Sequence, residues 1–366
     1  HHFAYMIISL ALLGYGASGT FIAINKRRLE QQFELSFAVS GLLFSITIVA
    51  CFVLGQRVPF NALEIVWNPR QLINLSLIYL IFFVPFFFAA CCIGLAFTCR
   101  RTYISRIYFF DLFGAGLGAV LVVGLLFVLS PQHALIVLAV VALSASILVD
   151  ARSVARKILM VMQGLWFVVL LLALLQDRLE IRMSQYKGLS QATQVVDSNV
   201  LTESSSPLGL LTVVESPQVP FRHAPGMSFR TRFVPPEQLA VFTDGDAMSP
   251  ITRFDGDLDK LGYLGDVTAA LPYQLLTQPT VLVLGAGGGT DVLLALYNGA
   301  AKVDAVELNP QMTELVSVTY GDFAGHLYDD ERVTVYTQEA RGFVAQSTDQ
   351  YDLIHVGLLD SFAASG

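Results

Sequence analysis

The sequence is poor in charged residues, and this scarcity excludes several classes of protein. Asp, Glu, Lys and Arg make up 14% of the 366 residues, against about 25% in ordinary globular domains. Hydrophobic residues make up 54%, so a disordered chain or a collagen-like fibre is excluded. The formal net charge is −7, which argues against binding of nucleic acid through a basic surface. The composition is that of a membrane protein.

Cysteine and histidine are also scarce, with four and six residues respectively. The cysteines lie in or beside apolar segments, and their spacing fits no zinc motif. They are Cys51, Cys91, Cys92 and Cys99. The histidines form no ligand cluster in the sequence. A small secreted domain held by disulfides is therefore excluded, and we expect no metal site.

Charge is distributed unevenly along the chain. Residues 1–176 hold 11 Lys/Arg and 5 Asp/Glu, whereas residues 177–366 hold 11 Lys/Arg and 24 Asp/Glu. We therefore predict an apolar front half and an acidic back half that tolerates water. The chain begins His1-His2 without Met and ends in what reads as an unfinished sheet. We expect it to be a piece of a longer protein.

Six apolar segments in the front half are long enough, or nearly so, to cross a bilayer, since about 30 Å of hydrocarbon needs roughly 20 helical residues. They are residues 3–24, 33–55, 72–98, 107–130, 132–149 and 158–175. The fourth contains Asp111 and the pair Gly114/Gly118, and small residues four apart let helices approach closely. We predict a transmembrane domain of about six helices over residues 1–176.

Residues 177–245 have a different character. Six prolines occur from Pro207 to Pro236, both included, and they exclude long helices because proline breaks a helix interior. Short runs of β-forming residues occur at 210–214 and 238–242. This segment is therefore predicted to be a small β-rich connector.

Residues 246–366 are predicted to form an α/β domain. Apolar strand patterns at 281–284, 303–306, 332–336 and 351–356 alternate with helical segments. This alternation indicates a Rossmann-like, doubly wound parallel sheet that is incomplete at the end of the chain. Asn309 followed by Pro310 predicts a helix start, with an N-cap and a proline at the first helical position.

A glycine-rich turn and an acid follow the first two of these strands. Gly285, Gly287 and Gly289 form a G-x-G-x-G pattern, which lets the backbone bend and a ligand approach closely. Glu307 lies at the end of the next strand, where a carboxylate can accept both hydroxyls of a ribose. Thr290 breaks the dinucleotide pattern G-x-G-x-x-G, so a nucleoside fits better than NAD. A Rossmann-like fold without a ligand is the alternative.

These residues resemble the spermidine/spermine synthase branch of the class I methyltransferase-like folds. The similar segments are 281–289, 306–310 and 351–354, and 241–245 resembles the family strand that carries Asp-Gly. Tyr263 stands where the family has a tyrosine-containing helix. The resemblance covers about residues 185–366. Together with the six apolar segments, it is similar to the membrane-embedded members of that group.

The resemblance implies an enzyme that transfers an alkyl group to an amine or another acceptor. S-adenosylmethionine or decarboxylated S-adenosylmethionine would be the substrate that donates the group. The implied nucleoside-binding residues are Gly285, Gly287, Gly289, Asp291, Glu307 and Glu339. Among them, Glu307 would hold the ribose and Glu339 would lie near the adenine.

The implied catalytic site departs from the family pattern. Tyr263 would face the amine. The family's general base falls on Gly357, and the acid inside its glycine turn falls on Gly288. We therefore predict that Asp360, the nearest remaining carboxylate on the loop after the last strand, accepts the proton.

Three functions stay open at this point. The first is the membrane-anchored transferase. The second is a non-catalytic nucleoside-binding module that regulates the membrane domain, which the glycine at position 357 favours. The third is a transporter with an accessory domain, although Asp111 alone is little intramembrane charge for one.

The expected partners are the lipid bilayer and a small amine, with no nucleic acid. The oligomeric state is not predicted. We expect an integral protein of the inner cell membrane. Loop charges favour an α/β domain outside the cytosol. Sulfonium nucleosides are cytosolic, however, and on that ground we predict a cytosolic α/β domain.

Overall fold

The structure is a computed structural model, and it describes residues 4–61, 64–149, 155–176, 179 and 181–357. The chain divides into two compact units. The first, which we call the helical unit, comprises His1–Ser184 and Ser205–Pro207. The second, which we call the α/β unit, comprises Gln185–Ser204 and Leu208–Gly366.

The helical unit contains six long helices where the sequence predicts six apolar spans. They are α1 (Ala4–Gln31), α2 (Phe33–Gly55), α3 (Arg70–Cys99), α4 (Ile104–Leu126), α5 (Pro131–Leu148) and α6 (Ala155–Leu175). Each is long and apolar enough to cross a membrane, judged by length and composition. The predicted helices are confirmed as helices, and their insertion into a bilayer stays a prediction.

Hydrogen bonds donated by side chains to groups on other helices hold α2, α5 and α6 together. The Ser45 hydroxyl donates to the Ala139 carbonyl at 2.6 Å and accepts from Trp166 Nε1 at 2.8 Å. Gln163 Nε2 donates to the Ser146 hydroxyl at 2.8 Å. Polar groups in an apolar bundle need such partners, because each one left unsatisfied costs free energy.

Helix α4 is the least buried of the six. No residue of α4 is buried among the described residues, and Asp111 is partly exposed. A Cβ placed on Gly114 or Gly118 would meet nothing within 4 Å. The close helix approach that this glycine pair predicts is therefore not made within the described part of the unit.

The α/β unit begins with a short helix, α7 (Gly188–Ala192), and a four-stranded sheet. Its strands are β1 (Asn199–Ser206), β2 (Gly209–Glu215), β3 (Gln238–Thr243) and β4 (Asp246–Thr252), in that spatial order. Strand β3 pairs antiparallel with both β2 and β4. Asp244 and Gly245 have φ of 53° and 73° and form the β3–β4 hairpin turn, as Asp-Gly commonly does. The sheet therefore continues past residue 245.

A second sheet follows, and its four strands are parallel, as predicted. They are β5 (Thr280–Leu284), β6 (Lys302–Glu307), β7 (Val333–Thr337) and β8 (Leu353–Val356), in the spatial order β7-β6-β5-β8. Helices α8 (Thr290–Tyr297), α9 (Pro310–Glu314) and α10 (Ala340–Gln346) connect them. Strand β8 returns to the opposite side of β5, so the strand order reverses between these two strands.

Four positions of the turn between β5 and α8 favour glycine, three by their backbone conformation and one by a close approach. Gly285, Gly287 and Gly289 have φ of 81°, 51° and 89°, in the region that other residues rarely adopt. A Cβ on Gly288 would lie 2.6 Å from the carbonyl carbon of Pro250 in β4. Because β4 runs this close to the turn, position 288 cannot carry a side chain without a backbone shift.

We predict that Gly288→Ala destabilises the α/β unit, because the added methyl group overlaps the β4 backbone. Such overpacking typically costs about 1–3 kcal/mol. Hydrogen exchange of the β5 and β6 amides in the full chain would show reduced protection. Gly342→Ala is the matched control, since its Cβ would meet nothing closer than 3.5 Å. Equal protection in both variants would contradict the prediction.

Candidate functional site

A cavity of about 1250 Å³ opens at the carboxyl ends of β5, β6 and β8 in the α/β unit. It lies where the strand order reverses, and open α/β sheets bind their ligands at this place. Three acidic residues line it, together with the glycine turn. They are Asp291, Glu307 and Glu339. Five of the six residues that the sequence predicts for nucleoside binding therefore line this cavity, whereas Gly289, at the end of the glycine turn, is not among its lining residues.

Two backbone amides fix the carboxylate of Glu307 beside the glycine turn. Its Oε2 accepts from the Gly287 amide at 2.8 Å, and its Oε1 accepts from the Asn309 amide at 2.9 Å. Each carboxylate oxygen can accept more than one hydrogen bond, so both can still receive a hydroxyl from the cavity. Asn309 also caps α9 by accepting from the Gln311 amide at 3.0 Å, which confirms the predicted helix start.

Glu339 precedes α10 and caps it. The carboxylate accepts from Arg341 Nε at 2.9 Å and from the Gly342 amide at 2.7 Å. The Arg341 guanidinium, followed by the backbone amides of Gly342 and Arg341, holds the pKa of Glu339 below its usual range. The Glu339 carboxylate therefore stays ionised at neutral pH. It contributes a negative charge to the cavity wall.

Tyr263 lies in the cavity wall, on a 3₁₀ segment over Leu258–Asp266. The residue is 1% exposed, and burial raises the pKa of its phenol. A phenol with a raised pKa remains protonated at neutral pH. Tyr263 can therefore donate a hydrogen bond but cannot act as a base there.

Asp291 stands in the first turn of α8 and faces strand β8. Its Oδ1 lies 3.4 Å from His355 Nε2, and the side chains of Asp291 and His355 are 26% and 10% exposed. His355 Nδ1 in turn lies 3.5 Å from the Tyr273 hydroxyl. Burial and the charge of Asp291 raise the pKa of Tyr273. Three polar side chains from α8, β8 and a 3₁₀ segment thus meet beside the cavity.

His355 and Tyr273 are absent from the sequence prediction. A sequence with six scattered histidines gave no reason to select this one. The signal that could have found it is a histidine inside the short apolar strand β8, where a polar side chain needs a partner.

Of the two residues after β8 that the sequence prediction includes, the structure describes Gly357 but not Asp360. A Cβ placed on Gly357 would lie 3.4 Å from Asp291 Cγ and would overlap Oδ2 of that carboxylate. The space beside Gly357 is therefore already filled by the Asp291 carboxylate. Asp360, which the sequence predicts as the proton acceptor, lies outside the described residues. Among the described residues, no three His, Cys, Asp or Glu side chains are grouped to hold a metal ion.

Comparison with known proteins identifies spermidine synthase-like homology, as predicted. The chain is 35% identical over 108 residues to "Polyamine aminopropyltransferase" of Streptococcus pneumoniae serotype 4, and 39% identical over 131 residues to the protein of the same name from Clostridioides difficile. The matches cover 29% and 34% of this chain, and 37% and 46% of the relatives. The chain thus spans less than half the length of these curated relatives. No family model matches it.

Solved spermidine synthases show a weaker likeness. One, in complex with the transition state analogue AdoDATO, has a TM-score of 0.29 at 18% identity and covers 43% of this chain and 45% of its own. The enzyme from Thermotoga maritima has a TM-score of 0.30 at 18% identity, over 43% and 47%. The names of the sequence relatives agree with the predicted aminopropyl- or methyltransferase-like enzyme.

Proposed function

We propose that this protein is a membrane-anchored transferase of the spermidine synthase type. It would bind decarboxylated S-adenosylmethionine, or S-adenosylmethionine, and transfer the aminopropyl or methyl group to an amine. The observation that supports this most directly is Glu307, fixed beside the glycine turn where the strand order reverses, in a chain homologous to polyamine aminopropyltransferases. The six apolar helices would anchor the protein in the membrane.

The cavity suits a cationic nucleoside and a cationic amine. Glu307 would accept the ribose hydroxyls, and Glu339 would lie near the adenine. The glycine turn would let the ligand approach the backbone at Gly285 and Gly287. Three carboxylates line the cavity against one guanidinium, that of Arg341, which pairs with Glu339. The remaining negative charge would attract both a sulfonium and a protonated amine. Tyr263 would form the wall that the amine meets.

The chemistry sets one further requirement, which is removal of a proton. A protonated amine has no lone pair, so a base must first take its proton. The neutral nitrogen then attacks the carbon bound to the positive sulfur. A C–N bond forms and the C–S bond breaks. The electron pair of the C–S bond moves onto the sulfur, which becomes a neutral thioether. The product nitrogen carries the positive charge that the sulfur has lost.

A second candidate is a nucleoside-binding module without catalysis. The observation that favours it is the lack of a side chain at Gly288 and Gly357, where the resemblance places acids. Such a module would bind the same ligand and regulate the helical unit. The two candidates share the nucleoside site, and turnover separates them.

We predict that the full chain in detergent binds a sulfonium nucleoside and that Glu307→Ala weakens this binding at least tenfold. The variant loses hydrogen bonds to a charged group, each worth roughly 1.5–3 kcal/mol. Titration calorimetry with S-adenosylmethionine, its decarboxylated form and NAD would measure the affinities. Glu314→Ala is the matched control, because Glu314 is exposed on α9. Tighter binding of NAD than of either sulfonium compound would contradict the proposal.

We also predict a cytosolic α/β unit. In a variant whose native cysteines are replaced, single cysteines would be placed at Thr348, Val66 and Thr102, which are exposed. If all six helices cross, the first two positions lie on one side and Thr102 on the other. An impermeant thiol reagent on intact cells should label Thr102→Cys alone, and all three after permeabilisation. Rapid labelling of Thr348→Cys in intact cells would place the unit outside the cytosol.

A further inference from the structure

The carboxylate of Asp291 occupies the place that a side chain at position 357 would take. Strand β8 ends beside β5, and α8 begins after the glycine turn that follows β5. This arrangement brings Gly357 under the first turn of α8, where its Cβ would overlap Asp291 Oδ2. The side chain of an acid at the strand end would thus begin where the carboxylate of the acid on the helix ends, beside the same part of the cavity.

Asp291 differs from the other two acids of the cavity in its partners. Glu307 and Glu339 accept hydrogen bonds from backbone amides, which fix the positions of their carboxylates. Asp291 faces an imidazole, with His355 Nε2 3.4 Å from its Oδ1. Its Oδ2 lies at the position that a Cβ on Gly357 would take. Oδ1 therefore lies beside the imidazole and Oδ2 beside Gly357, and both Asp291 and Gly357 line the cavity.

Tyr273 completes the arrangement from behind. Its hydroxyl lies 3.5 Å from His355 Nδ1, and the residue is 2% exposed. A protonated phenol there can donate to Nδ1, which leaves the hydrogen on Nε2, facing Asp291. Tyr273 then orients His355, and His355 orients the Asp291 carboxylate, in the way that a third group orients the base in a catalytic triad.

We infer that Asp291 is the proton acceptor for the amine, with His355 and Tyr273 as positioning residues. The inference rests on the proposed transferase function. The ammonium group of the substrate gives one proton to Asp291 Oδ2, and the nitrogen lone pair so freed attacks the carbon next to sulfur. The thioether leaves, and Asp291 then releases the proton to solvent. The step needs no oxidant, reductant or metal.

The test compares nucleoside binding with product formation in the full-length protein. The substrates would be decarboxylated S-adenosylmethionine with putrescine, cadaverine, 1,3-diaminopropane or spermidine. The resemblance counts Asp291 among the nucleoside-binding residues, but its carboxylate lies at position 357, where the family has its base. Asp291→Asn should therefore bind the nucleoside within about twofold of the wild type and lose turnover by roughly 10²–10⁴-fold, the usual effect of removing a general base. Asp322→Asn is the matched control, because Asp322 forms an exposed pair with His326 at 2.9 Å.

A paired substitution tests the shared place directly. Gly357→Asp alone should weaken the unit, because its side chain meets Asp291. Asp291→Ala combined with Gly357→Asp removes that overlap and moves the carboxylate to the strand end. We expect the turnover of the double variant to be at least tenfold higher than that of Asp291→Ala alone. Recovery would not follow if Asp291 served only to hold α8 in place.

The positioning role of His355 has its own readout. His355→Gln keeps a donor near Nε2, whereas His355→Ala removes it. The alanine variant should lower kcat with an unchanged KM for the nucleoside, and the glutamine variant should restore part of kcat. Equal loss in both variants would assign His355 a packing role only.

The outcomes separate the inference from the function it rests on. If the wild type makes product and Asp291→Asn retains it within about threefold, the inference is wrong and the transferase stands. Loss of turnover in Asp291→Asn together with loss of nucleoside binding, and no recovery in the double variant, would also overturn it. If the wild type binds the nucleoside but alkylates no amine, both fail and the binding module is favoured.

Discussion

The close approach of strand β4 to the turn between β5 and α8 is the constraint on which the candidate site depends. Pro250 of β4 fills the space where Gly288 would carry a side chain. The Gly288 amide donates to the Ser249 hydroxyl at 2.8 Å. With one face of the turn against β4, the Gly287 amide is left to bind Glu307. The position of the cavity acid thus follows from contact between two sheets, not from the turn alone.

The same constraint decides where acids can stand. A carboxylate at position 288 is excluded by the β4 backbone, and one at position 357 is excluded as long as Asp291 keeps its place. Asp291 lies three residues after Gly288, at the start of α8, where the helix dipole favours negative charge. The cavity therefore keeps a carboxylate at the point where the strand order reverses, although it comes from a different element.

The sequence predicted what depends on local pattern. Helix α2 has the predicted bounds, 33–55, because a long apolar run leaves little choice of structure. The Asn309 cap and the strands β5 and β6 were also predicted, since turn chemistry and apolar runs are short-range signals. Strand β4 was missed as a strand of the connector, because it contains Pro250 and lies beyond an Asp-Gly pair interpreted through the family resemblance.

What the sequence could not predict depends on residues far apart in the chain. The Ser45–Trp166 hydrogen bond joins α2 to α6, and a serine in an apolar segment gives no sign of its partner. The same holds for Tyr273, Asp291 and His355, which come from three elements. Each is an ordinary residue alone, and only the return of β8 to the far side of β5 brings them together.

A glycine at the position of a family base therefore says little about catalysis by itself. What the amine requires is a carboxylate oxygen at a given place with a suitable partner, and residue number does not define that place. Here the Asp291 oxygen lies where a side chain at position 357 would begin. Its partner is an imidazole 3.4 Å away. The departure from the family pattern therefore fits an enzyme whose acid has moved to another element. It does not require a protein that has lost catalysis.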